Sequence, residues 1–249
     1  MKPVLFELNF NGIPVPVYAY GFFSILSLIF VITLTLVVFR NNKISWGRSL
    51  SGTAAIAIST IIGARLFGIL SKYPLYNEHL NKIFALKFKD FSLLGGLIFA
   101  ILAGYIFLKL IKQNTLKISD ELVFVVGAGL IVWRVGCFLN ACCTGKETDS
   151  IFGIHYPGAE YNVHPTQIYE IIAILIILII LFFIRKRIKK HGTLSFIFYT
   201  WFVASYLFIS FFREQATYTM ILNTILAIVL WITISAIGFI ELRGNKVRY

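Results

Sequence analysis

Charge is scarce in this chain. Only 14% of its 249 residues are charged, against about a quarter in an ordinary soluble domain. Acidic residues are scarcest, 11 Asp and Glu against 23 Lys and Arg, for a net charge of +12. Neither a Walker loop nor a dinucleotide glycine fingerprint occurs, so no nucleotide cofactor is expected. Cysteine is confined to three positions, Cys137, Cys142 and Cys143. An odd number packed so closely implies no disulfide framework. Repeats, low-complexity tracts and linkers long enough to divide the chain are also missing, so one domain is expected over residues 1–249. The opening stretch, Met1 to Val17, holds Glu7, Asn9, Asn11 and three prolines. It lacks the basic and then apolar order of a secretory signal.

Long apolar runs are what the chain has instead: 58% of the residues are hydrophobic and 16% aromatic. Runs of about 17–25 apolar residues read as transmembrane helices. Seven are found, near 17–39, 50–71, 91–112, 121–141, 168–184, 193–212 and 220–241. The expected fold is an all-α integral membrane protein. Basic residues set its direction. Alternate connections, from Arg40 to Arg48, Lys109 to Lys117, Arg185 to Lys190 and Arg243 to Arg248, carry fourteen, and the opposite side carries seven. That places the N-terminus outside and the C-terminus in the cytoplasm. It also assigns the basic excess to the cytoplasmic leaflet, so membrane lipid is the expected partner and nucleic acid is not. Two outer connections, 72–90 and 142–167, are longer than turns. The first interleaves Leu80, Ile83, Phe84, Leu86 and Phe88 with lysines, the pattern of either an interfacial segment or an ordinary loop.

Two arginines remain inside spans, Arg65 in "IIGARLFGIL" and Arg134 in "IVWRVG". A charge near the bilayer centre costs about 2.5–3.5 kcal/mol on insertion scales, so it needs a partner or a task. Either arginine is near enough to a loop to snorkel, but buried guanidinium forks also match phosphate oxygens. The fifth span opens "VHPTQIYEII", where His164 and Pro165 read as a helix entry and Glu170 needs a cation, Arg134 or Arg213. Arg213 and Glu214 are adjacent and so point to different sides. Tyr18 and Tyr20 suit an aromatic belt, and Gly95 and Gly96 suit close packing. In "RVGCFLNACCTG" the cysteines make no C-x₂-C pair, and a second pair is absent. Metal ligation is therefore not expected, a three-cysteine site with His155 or His164 being the weak exception. Neighbouring Cys142 and Cys143 would bridge only with strain.

These fragments, in this order, resemble the prolipoprotein diacylglyceryl transferase family of bacterial membranes. Arg134, Gly136, Phe138, Asn140 and Gly145 match its signature, and "HPTQIYE" is the most specific match. Phe211, Phe212 and Arg213, the early Tyr20 and Gly21, "GARLF" and "GGLI" follow the same pattern. Leu94 stands where the family commonly has a histidine, Cys137 replaces the signature asparagine, and Cys142 replaces an acidic residue. The resemblance implies transfer of a diacylglyceryl group from phosphatidylglycerol to the thiol of a lipoprotein-precursor cysteine, in the bacterial plasma membrane, without a cofactor.

For that chemistry the candidate catalytic residues are His164 as base, Arg134 and Arg213 as the clamp on the leaving phosphate, and Glu170 to position His164 or an arginine. Tyr20, Gln167, Asn140, Arg65 and Gly145 join the two arginines as candidates for headgroup binding. Two alternatives stand beside this reading: the same fold and anionic lipid donor with another acceptor, and a non-catalytic transporter or thiol sensor.

Overall fold

The computed structural model describes residues 3–10, 13–71, 91–156 and 160–246. The 72–90 connection, read as either an interfacial segment or an ordinary loop, lies outside them. Among the described residues, seven helices are long and apolar enough to cross a membrane: α1 (Ala19–Asn41), α2 (Trp46–Ser71), α3 (Leu93–Leu110), α4 (Thr115–Leu139), α5 (Thr166–Ile184), α6 (Thr193–Ser210) and α7 (Thr217–Lys246). Each matches one of the seven expected runs. The protein is an all-α integral membrane protein, decorated by two small two-stranded ribbons.

The first ribbon was not anticipated. Strand β1 (Val4–Phe10) pairs antiparallel with β2 (Ile13–Tyr18), and Pro14 and Pro16 fall two apart in β2. Proline lacks an N–H, but in a two-stranded ribbon every strand is an edge and can turn that missing donor outward. The ribbon is tied to α1 by Ala19 N donating to the Pro3 carbonyl at 2.8 Å. The second ribbon, β3 (Ile154–His155) with β4 (Asn162–Val163), lies in the long 142–167 connection.

Lipid tails are as apolar as leucine, so helix association here rests on close packing and interhelical hydrogen bonds. On α2 and α3 the glycine faces meet directly: a Cβ on Gly63 would lie 2.6 Å from the Gly95 carbonyl oxygen, and one on Gly95 2.6 Å from that of Gly63. Polar ties include Ser27 Oγ to the Gly129 carbonyl at 2.7 Å between α1 and α4. Trp201 Nε1 reaches the Ala173 carbonyl at 2.9 Å between α6 and α5. Inside the bundle Leu94, Val123, Leu181, Phe198 and Leu230 are buried, while Ile29, Ile58, Ile179 and Phe183 face outward. Such an apolar exterior belongs in lipid.

The alternate basic connections gather at one end. There Asn42 Nδ2 donates to Glu121 at 2.7 Å, Lys109 pairs with Glu241 at 2.5 Å, and buried Asp120 accepts from Gly192 N at 2.7 Å and Ser195 N at 2.8 Å. Asp120 thereby caps the start of α6 from another helix, satisfying orphan N–H groups. The opposite end carries Arg134, Glu170 and Arg213.

Candidate active site

Three segments bring three charges together. Arg134 lies on the last turns of α4, Glu170 on the first turns of α5, and Arg213 just after α6. Glu170 Oε2 pairs with Arg134 Nε and Oε1 with Arg213 Nη2. Arg134 is only 3% exposed and Glu170 6%. Glu170 thus serves both arginines rather than His164. Glu214, the neighbour of Arg213, points outward and is exposed. Two guanidinium ions share one carboxylate, leaving one net positive charge in a low-dielectric surround. Arg213 Nε is buried with no hydrogen-bond partner among the described residues. Aromatic faces line the group: Trp133 sits 4.5 Å from the Arg134 guanidinium, and Tyr206 5.2 Å from that of Arg213, each a cation–π contact.

Gly145, the last residue of the signature, is where the segments knot. Its N–H donates to the His164 carbonyl at 2.8 Å, while Lys146 N donates to the Phe212 carbonyl at 2.8 Å. A Cβ at Gly145 would lie 2.5 Å from the Phe212 carbonyl oxygen and 2.6 Å from His164 Cβ. No other residue fits there, so Gly145 acts by letting the strands approach. Gln167, fully buried, accepts from the Tyr156 hydroxyl at 3.2 Å and donates to the Cys142 carbonyl at 2.5 Å. Thr166 Oγ1 donates to the Cys143 carbonyl at 2.6 Å. The "HPTQ" stretch therefore pins the cysteine loop, and Gln167 reaches the site as a positioning residue.

His164 Nδ1 lies 3.0 Å from the Tyr169 hydroxyl, and its ring packs edge-on against Phe212 at 5.0 Å. If Nδ1–H donates to the phenol oxygen, the lone pair sits on Nε2, the tautomer a base needs. Tyr169, not Glu170, orients His164. Pro165 stands at the N-cap, one position before the first helical residue. Leu94, 1% exposed, is simply core.

The three cysteine sulfurs converge within 4.8 Å of one another. Cys137 is buried, Cys142 half-buried and Cys143 exposed. The Cys143 thiol is held well below the usual range, first by hydrogen bonds from Cys137 and Cys142, then by the charges of Arg134 and Arg213. Cys142 moves the other way, to about 11: the bond from Cys137 lowers it, but its own donation to Cys143 and its burial outweigh that.

The Tyr20 ring lies 6.4 Å from that of Trp133, tilted by 59°, and Asn140 caps the end of α4. Arg65 lies on α2 with its guanidinium 5.8 Å from the Phe91 ring. Tyr20, Trp133, Phe91 and Ser92 line one end of a cavity of about 640 Å³, which continues past Leu28 and Leu97 toward Leu116. Its apolar walls suit acyl chains, and Trp133 joins it to the arginine group. The sequence reading missed Trp133, Tyr156, Thr166 and Tyr206. Thr166, like Tyr169, sits within the "HPTQIYE" match, while Trp133, Tyr156 and Tyr206 carried no signal beyond their type.

A family model described as prolipoprotein diacylglyceryl transferase matches residues 3–241. A protein of Rickettsia bellii (strain OSU 85-389), named phosphatidylglycerol–prolipoprotein diacylglyceryl transferase, is 35% identical over 164 residues, 63% of this chain and 62% of the relative. Proteins of the same name from Clostridioides difficile (strain 630) and Clostridium botulinum (strain Loch Maree / Type A3) are 34% and 35% identical, over 56% and 54% of this chain and 56% of each relative. The matched stretch thus covers 62% of the length of these relatives at most.

Proposed function

Since the chain belongs to the prolipoprotein diacylglyceryl transferase family, we propose that it moves a diacylglyceryl group from phosphatidylglycerol to a cysteine thiol of a lipoprotein precursor. The observation that carries this reading is the Arg134–Glu170–Arg213 group: among the described residues it keeps one positive charge in excess and a buried Arg213 Nε with no hydrogen-bond partner, beside a cavity of acyl-chain character. One phosphodiester headgroup supplies one negative charge and the acceptor oxygens.

The reaction forms a sulfur–carbon bond at the glyceryl carbon and breaks the carbon–oxygen bond to phosphate. Glycerol phosphate leaves with the electron pair. Arg134 and Arg213 stabilise the charge that develops on it, and donors placed in advance in a dry site are worth more than in water. Glu170 holds both forks in place. His164 Nε2 takes the thiol proton, with Tyr169 fixing the ring. Tyr20 and Asn140 flank the headgroup, Arg65 extends the positive surface on α2, and Gly145 keeps the three segments together. The chain acts as one polytopic domain in a bacterial plasma membrane, with this end outside, where exported precursors are met.

Purified chain, phosphatidylglycerol and a precursor peptide with one cysteine should yield peptide heavier by one diacylglyceryl group. The gene should also restore lipoprotein maturation in cells depleted of the transferase. Failure of both sinks the reading. Success with a thiol other than a precursor cysteine supports a different acceptor on the same donor, a reading that the buried Leu94 at the family's histidine position favours.

The orientation is tested by a reporter fused after Tyr249. It should be active only on the cytoplasmic side, and activity outside reverses the topology. His164→Gln tests the base. The variant should be slower by about 10²-fold near neutral pH, the lower range for general-base loss. The gap should narrow as pH rises through about 8.5, where a free thiol ionises unaided. Equal rates at every pH from about 6 to about 9, the span over which a histidine and a free thiol titrate, would make His164 a helix-entry residue only.

A further inference from the structure

The spacing of the cysteines argues against ligation, yet the folded loop brings all three sulfurs within 4.8 Å. We propose that Cys137, Cys142 and Cys143 form a three-thiolate site for one thiophilic divalent cation of the zinc class, with a fourth position open to an incoming thiol.

The geometry comes from the backbone. After α4 ends, Ala141 and Cys143 both adopt left-handed conformations, φ 51° and 63°, which residues other than glycine rarely hold. These two reversals fold the chain back, with Cys142 N donating to the Cys137 carbonyl at 3.1 Å. The carbonyls of Cys142 and Cys143 are held from the other side by Gln167 and Thr166. These anchors make the three side chains converge, with the Cys142 thiol donating to the Cys137 carbonyl at 3.5 Å. Zinc–sulfur bonds of about 2.3 Å in a tetrahedron place thiolates just under about 4 Å apart, a small contraction from the observed spread.

Burial is graded in the order a metal site needs: Cys137 forms a dry floor, Cys142 a half-buried wall and Cys143 an exposed rim. Three thiolates around a dication leave one negative charge, and the nearby Arg134 guanidinium favours it. Arg134 Nη1 lies 4.0 Å from Cys137 Sγ, placed as an outer hydrogen-bond donor to that ligand. A disulfide accounts for the cluster less well, since it always leaves one sulfur over.

Three protein ligands leave the fourth tetrahedral position open, the arrangement of reactive rather than structural zinc sites. A thiol that coordinates there gives up its proton. This role for the cation rests on the transferase reading above. The acceptor thiol binds at the fourth position, its proton passes to His164, and its sulfur forms the bond to the glyceryl carbon as the phosphate ester breaks. The cysteine protons leave to water when the cation binds. The chain would thus generate its thiolate nucleophile without the histidine replaced by Leu94.

The test uses the full chain in detergent, fully reduced, with three titratable thiols, and cadmium as the probe. The expected result is one cadmium per chain with a thiolate-to-metal charge-transfer band, displaced by zinc. Cys143→Ser, on the exposed rim, should fold normally and bind about 100-fold more weakly, since lost outer contacts alone cost about 10–100-fold. No saturable band, or a band unchanged in Cys143→Ser, overturns the site. Adding a cysteine peptide should shift the band and a serine peptide should not. Without that shift, or with full transferase rate in the chelated chain, thiol activation is overturned while the transferase reading survives. Cadmium bound to a chain that transfers nothing would instead sink the transferase reading and keep the metal site.

Discussion

Glu170→Gln is expected to cost about 3–5 kcal/mol of stability, the usual result of removing one partner from a buried ionic group. Two guanidinium ions, on Arg134 and Arg213, would face each other with no carboxylate between them. Thermal unfolding in detergent reads the effect directly, as a large fall in midpoint together with loss of transfer. The double variant Glu170→Gln with Arg213→Gln removes the repulsion as well. It should recover much of the stability but none of the activity, a coupling that a double-mutant cycle measures. An unchanged midpoint in the single variant would mean that the arginines find other partners, and that Glu170 does not organise the site.

Arg134→Lys should insert and fold, yet lose about 10²–10³-fold in turnover, the range seen when one preorganised donor to a developing anion is removed. Arg134 spends Nε on Glu170 and directs Nη1 toward Cys137. A planar fork can hold those contacts and still present an N–H to phosphate. A lysine ammonium is a point charge on a flexible stem and cannot serve all three directions. Near-normal turnover in this variant, with the protein correctly inserted, would remove Arg134 from the phosphate clamp.

The two predictions divide the labour between the arginines and their carboxylate. Under the proposed mechanism Glu170 is a positioning residue, and its loss is felt first in stability. Under the same mechanism Arg134 is a catalytic residue, and its conservative replacement is felt in rate. Comparing the two variants by unfolding and by turnover separates these roles, because a merely structural Arg134 would move both readouts together.

The seven spans were legible because hydropathy is local: each helix can be read from its own residues, with no knowledge of its neighbours. The alternation of the connections was legible for the same reason, and the structure gathers the alternate ones at one end. Arg134 and Glu170 declared themselves as charges in apolar surroundings, which need explanation wherever they occur. "HPTQIYE" marked the entry of α5 and its importance. What each of its residues does was not in it. Gln167 is a pin for the cysteine loop, and His164 answers to Tyr169, because those roles depend on segments far along the chain arriving at the same place. That Glu170 serves two arginines rather than one follows only from the packing of α4, α5 and the end of α6. Asp120 gave no sign that it would cap α6, since a cap normally lies beside its helix in sequence. The cysteines make the sharpest contrast. Their linear spacing speaks against a common site. Two left-handed residues and two hydrogen bonds from another helix bring the sulfurs together all the same, because distance through a folded loop is set by backbone angles and anchoring contacts rather than by the number of intervening residues.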